Sequence, residues 1–156
     1  MASTFYSDQY YKPIPGTGAG GDMKVFIGSY EFTSITVIND VVTMFTMPKG
    51  FTPLYGYLLG DPIDANAIET LELDVGIAGD TTKYLNSGVI TTDTVTDWTI
   101  TDAIHLPLQE DLLTVKPTEL TADTDLIVTV TAAAATTGTG TIKVYMFGVY
   151  NDPRVA

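Results

Sequence analysis

Residues 69–78 read ETLELDVGIA. Leu71, Leu73, Val75 and Ile77 fall on one side of an extended chain, and Glu72, Asp74, Gly76 and Ala78 on the other. A period of two is the repeat of a β-strand, so the segment has one face for a core and one for water. The alternation returns at 125–132, where Leu126, Val128 and Val130 share a face. No stretch sustains a helical period. A chain that can only build pleated, one-sided strands must bury them against a second sheet.

The spacing predicts strands at 24–32, 34–38, 41–47, 51–59, 69–78, 104–108, 112–116, 125–132 and 141–150, the first two as one bent strand or two, with weaker strand patterns at 83–87 and 94–100. Asn39-Asp40, Pro48-Lys49-Gly50 and Gly79-Asp80 are turn signals, and 132–140, with four alanines followed by Thr and Gly, suits a tight hairpin. In 51–59, Phe51, Tyr55, Tyr57 and Leu59 share one phase. The last strand is apolar on both phases: Ile142, Val144 and Met146 on one, Tyr145, Phe147 and Val149 on the other. Such a strand is central and covered twice, or one face sits in an interface. About eight or nine strands with frequent turns give an all-β fold, a two-sheet antiparallel β-sandwich of jelly-roll type.

Two segments are expected: an extended aromatic arm with a Gly-rich hinge at 1–22, and the β-sandwich domain at 23–156. The arm carries Phe5, Tyr6, Tyr10 and Tyr11, then Pro13, Pro15, Gly16, Gly18, Gly20 and Gly21. Proline blocks ladder bonding and glycine loosens the backbone, while four aromatics are costly to leave in water. They tuck onto their own domain or lie on a neighbouring subunit. The interface candidates are therefore Phe5, Tyr6, Tyr10 and Tyr11 of the arm and Tyr145 and Phe147 of the last strand.

With 19 Asp plus Glu against 7 Lys plus Arg the net charge is −12, which repels phosphate backbones and anionic membrane surfaces. No nucleic acid or membrane partner is expected. Cysteine is absent, so there is neither a disulfide framework nor a thiolate metal site. The first 22 residues lack the basic and apolar regions of a signal peptide. Thr, with 26 copies, suits solvent-facing strand positions.

Catalytic motifs do not assemble. Gly16-x-Gly18-x-x-Gly21 follows two prolines and precedes a strand, whereas a dinucleotide site needs a strand before and a helix after. His105 is the single histidine and sits between Ile104 and Leu106, without the partners that a general base or zinc site needs. Asp61 and Asp64, or Asp93, Asp97 and Asp102, match no EF-hand loop and read as turn aspartates. Trp98 and the tyrosines read as core and interface aromatics. The expectation is no enzyme, no catalytic residue, no cofactor and no metal.

One block resembles a known group: Met47-Pro48-Lys49-Gly50-Phe51, then Tyr55-x-Tyr57, Asp61-x-x-Asp64, the strand Leu71–Ile77 with Asp74-Val75-Gly76, then Asp80, Tyr84 and Leu85. The later run Val128-x-Val130-x-Ala132-Ala133, with a Thr/Gly turn and a final strand, belongs to the same pattern. Over about residues 40–150 this is similar to tailed-bacteriophage virion proteins, often head decoration (cement) proteins. Met47 stands where that pattern has Leu, Leu85 stands where Phe is usual, and residues 1–22 lie outside the match. The resemblance implies a non-enzymatic protein that binds the major capsid protein lattice and stabilises the head. It would be a homo-oligomer, a trimer at the threefold points, on the outer surface of the virion and made in the host cytoplasm. The alternative is a tail or fibre-associated sandwich module that binds a host glycan.

Overall fold

The computed structural model describes residues 3–7, 10, 22–34, 37–61, 63, 70–89, 104–108, 117–134 and 139–150. Nine strands occupy them: β1 (Thr4–Tyr6), β2 (Asp22–Phe32), β3 (Val41–Met47), β4 (Phe51–Gly60), β5 (Glu72–Ile77), β6 (Asp80–Val89), β7 (Ile104–Leu108), β8 (Thr124–Ala132) and β9 (Gly140–Tyr150). They form two sheets, β1-β3-β8-β5-β6 and β2-β9-β4-β7. With β1 set aside, this is the strand order of a jelly roll: successive strands alternate between sheets except at the β5–β6 hairpin. The all-β sandwich expected from the sequence is therefore what the chain forms.

The core lies where the alternation placed it. Leu71, Leu73, Val75, Leu126, Val128 and Val130 from one sheet meet Ile142, Val144, Met146 and Leu58 from the other, all fully buried. Aromatic rings join the sheets: Phe26 of β2 stacks on Phe45 of β3 at 5.6 Å and meets Phe51 of β4 edge-on at 5.0 Å. Phe51 needs room above the neighbouring strand, and Gly148 supplies it. A Cβ there would run into the Phe51 ring and the Thr52 carbonyl. The Ala78-Gly79 turn of the β5–β6 hairpin has Gly79 at φ 89°, a region glycine enters without strain.

Several expectations change. Residues 132–140 do not make a hairpin, because β8 pairs with β3 and β5 while β9 pairs with β2 and β4. Partner choice in a jelly roll is non-local, and a short connection can cross between sheets. Ser34, Val37 and Ile38 lie in a bend and turn instead of a strand; Asn39 sits at φ 71° and Asp40 N donates to the Val37 carbonyl at 2.9 Å. Asp22, read as the end of the hinge, opens β2. One pairing is parallel: residues 4–6 lie along residues 41–43. The strands expected at 94–100 and 112–116 fall outside the described residues.

Candidate interface

Directly opposed residues of an antiparallel ladder share a face. On the outer side of the sheet β2-β9-β4-β7 the register aligns Met23, Val149 and Thr52 in one row. Val25, Phe147 and Tyr55 form the next, and Ile27, Tyr145 and Tyr57 the third. Met23 is 60% exposed, and Val25, Ile27 and Tyr55 about as open as surface residues generally are, at 38%, 43% and 43%. The rings shield one another: Tyr55 stacks flat on Phe147 at 4.6 Å, and Tyr57 meets Phe147 at 5.6 Å and Tyr145 at 6.1 Å. Among the described side chains of this face only Glu31 and Lys143 are charged, and both lie at one end, beyond the aromatic rows. A contiguous, uncharged, ring-lined sheet face on a chain of net charge −12 is a surface suited to another protein.

Tyr145 and Phe147, chosen from the sequence, sit at the centre of this face. Tyr55 and Tyr57 were expected to share the phase of Phe51, but Phe51 is fully buried and the two tyrosines point out. The cause is a register shift between Pro53 and Tyr55, where Leu54 is an extra residue and reverses the in–out order. Pro53 inside a strand next to a glycine partner is the signal that could have shown it. Met23, Val25 and Ile27 were missed. Residues 23–27 alternate only weakly, and apolar residues on both phases, the clue used for β9, apply to β2 as well.

The arm residues fall elsewhere. Phe5 lies opposite Val42 and packs at 5.6 Å on Tyr30, closing the gap between β3 and β2 of its own domain. Tyr6 is on the other side of β1, 44% exposed, and stacks on Tyr10 at 4.6 Å. Tyr11 lies outside the described residues. The arm is pinned at its base by Asp40, whose carboxylate accepts from Ser3 N at 2.8 Å and Val37 N at 3.0 Å. Tyr30 is held above its ordinary phenol range, first by burial and second by the nearby Asp40 charge.

The outer side of the other sheet has a different character. Thr43, Thr46, Asp125, Ile127, Thr129, Thr131, Glu72 and Asp74 occupy it; Thr43, Ile127, Thr129 and Asp74 among them are buried, and every charge on β3, β8 and β5 is negative. Thr46 Oγ1 donates to Asp125 Oδ1 at 2.6 Å across the β3–β8 pair. Among the described residues no group of three or more His, Asp or Glu is placed to hold a metal ion. His105 lies opposite Leu59 in the β4–β7 ladder. Asp61 is exposed and accepts from Thr141 N at 2.9 Å, tying the end of β4 to the start of β9 as a turn aspartate does. Asp64, Asp93, Asp97, Trp98 and Asp102 lie outside the described residues.

No protein-family model and no curated protein matches the chain. Solved structures do. A chain of the Cyanophage Pam1 capsid asymmetric unit superposes with a TM-score of 0.66 at 28% identity, over 92% of this chain and 96% of that one. A chain of the capsid of Ralstonia phage GP4 superposes with a TM-score of 0.64 at 21% identity, over 95% of this chain and 98% of that one. The second likeness speaks for the fold alone. Both matched chains are nearly covered, so each is a protein of about this length.

Proposed function

We propose that this chain is a non-enzymatic virion structural protein that decorates a phage head and stabilises it by binding the major capsid protein lattice. The observation that carries the reading is the end-to-end match, at 28% identity, to a chain of a cyanophage capsid. The aromatic face supplies a contact surface. Three strands about 4.8 Å apart and three rows about 6.8 Å apart project to about 300 Å². That is the size of a functional surface patch and well short of the roughly 800 Å² per partner of a stable complex. One such contact is weak, but many copies on a lattice hold together through multivalency. The acidic remainder keeps a high-copy protein soluble and away from the packaged genome.

The test is co-sedimentation with heads assembled without the protein. Saturable binding at a fixed ratio to the coat subunit, with heads then surviving heat or low salt better, is the expected result. Heads that take up none of it would overturn the reading. The flat Tyr55–Phe147 stack gives a glycan-binding tail or fibre module as the second reading, because sugars stack on exposed rings. Saturable binding of host surface polysaccharide by protein that ignores heads would establish that instead.

A further inference from the structure

We propose that β1 is an exchangeable strand: the β3 edge that receives residues 4–6 of its own chain takes the same residues of a second copy when copies lie side by side. The proposal leans on the head-decoration reading only for what brings the copies together.

The described groups that receive the arm belong to the body of the domain. Val41 N donates to the Ser3 carbonyl at 2.9 Å, and Ser7 N donates to the Thr43 carbonyl at 2.7 Å. The Ser7 hydroxyl donates to the Met44 carbonyl, and the Asp40 carboxylate accepts from Ser3 N at 2.8 Å. The Tyr30 ring takes Phe5. Any copy of the body therefore presents the same site, and a transferred arm makes the same bonds. Exchange of identical elements is a low-cost route to association for that reason.

The covalent link imposes no choice. Residues 7–21 separate β1 from β2, and fifteen residues span at most about 50 Å. A domain of 156 residues is about 40 Å across, from its expected radius of gyration. An arm can thus reach the β3 edge of an adjacent copy. The hold in one chain is also modest: three paired residues and two inward side chains, Phe5 and the buried Ser7. Copies fixed on a lattice meet at effective concentrations comparable to that of a short tether, so the neighbour competes on equal terms. Tyr6, 44% exposed and stacked on Tyr10, stands at the rim where that neighbour would lie.

The absence of cysteine makes a clean test possible. Thr4 and Val41 are direct partners in the β1–β3 register, so Thr4→Cys with Val41→Cys reports wherever β1 docks. Non-reducing gels should show an intrachain bond in dilute protein and mainly interchain bonds in protein bound to heads. A mixture of two single variants, Thr4→Cys and Val41→Cys, can form that bond only between chains, and should do so in concentrated solution. Intrachain bonds alone on saturated heads, or no bond in the concentrated mixture, would overturn exchange while leaving head decoration intact. Failure to sediment with heads would overturn decoration, and the mixture would still decide exchange.

Discussion

The two outer faces of the sandwich rest on one core and one pleat, yet they are chemically opposite. The sheet β2-β9-β4-β7 turns Met23, Val25, Ile27, Tyr55, Tyr57, Tyr145 and Phe147 outward. The sheet β1-β3-β8-β5-β6 sets Thr46, Asp125 and Glu72 on its outer side, with Thr129 and Asp74 on the same side but buried. Folding does not require the difference, because the inner residues supply the burial on both sides. On the threonine–acid side Thr46 donates to Asp125 across their pair. An aromatic face gains by being covered. On the proposed function the aromatic face is the contact surface, and the contrast can be broken deliberately.

The largest effect should come from exchanging the phases of β4. Inserting one residue after Tyr55 shifts the rest of β4 by one, so Tyr57 would turn into the core and Leu58 out of it. One slipped residue moves every side chain to the other face, and the variant should lose its cooperative thermal transition by circular dichroism. Next, Val25→Asp with Phe147→Asp should weaken head binding about 100-fold or more, since central aromatic anchors dominate interfaces. The melting temperature should stay close to the parent value, because both side chains are on the outer face. Glu72→Lys on the other sheet should change binding less than about threefold, as a solvated charge outside the contact would; equal losses in the two variants would mean that the contrast is not what drives binding.

Salt separates the faces more gently. Binding through uncharged rings should change less than about threefold between low and high salt, whereas contact through the carboxylates of the acidic sheet would be screened strongly. Thr46→Val removes the hydrogen bond to Asp125 and should cost about 1 kcal/mol, a fall of about 2–4 °C in melting temperature, with head binding unchanged. The smallest effect concerns the arm. Because Tyr30 is held above its ordinary range, the folded state keeps the phenol proton more tightly than the unfolded chain does. Its contribution is complete below pH 10 and is lost as pH climbs through the raised value. Urea midpoints taken at rising alkaline pH should therefore fall more steeply in the parent than in Tyr30→Phe.

Much of the architecture was readable in the sequence because burial imposes a period of two. The strands at 41–47 and 104–108 match residue for residue, and the inward set of β5, β8 and β9 is as the alternation placed it. What escaped depends on things periodicity does not carry. The extra residue at Leu54 hid the outward tyrosines, and three residues of β1 are too short to alternate. The crossing after β8 was invisible because sheet membership is chosen by distant partners, not by the turn. Of the candidate face, Tyr145 and Phe147 were legible from a strand apolar on both sides, while β2 needed its pairing with β9 to show which of its apolar residues faced out.

The position of β9 between β2 and β4 also sets an order of events for the nascent chain. Asp22 pairs with Tyr150 and Phe51 with the same residue, so β2 has no neighbour in its sheet, and β4 only β7, until the last strand is made. Strand pairings this distant in sequence fold slowly, on a scale of milliseconds to seconds, and at ribosomal rates β9 emerges roughly 10 s after β2. The aromatic face is thus the last surface to come into being. Its residues can meet another molecule as an ordered array only after the core beneath them has closed, which makes completed folding the gate to assembly.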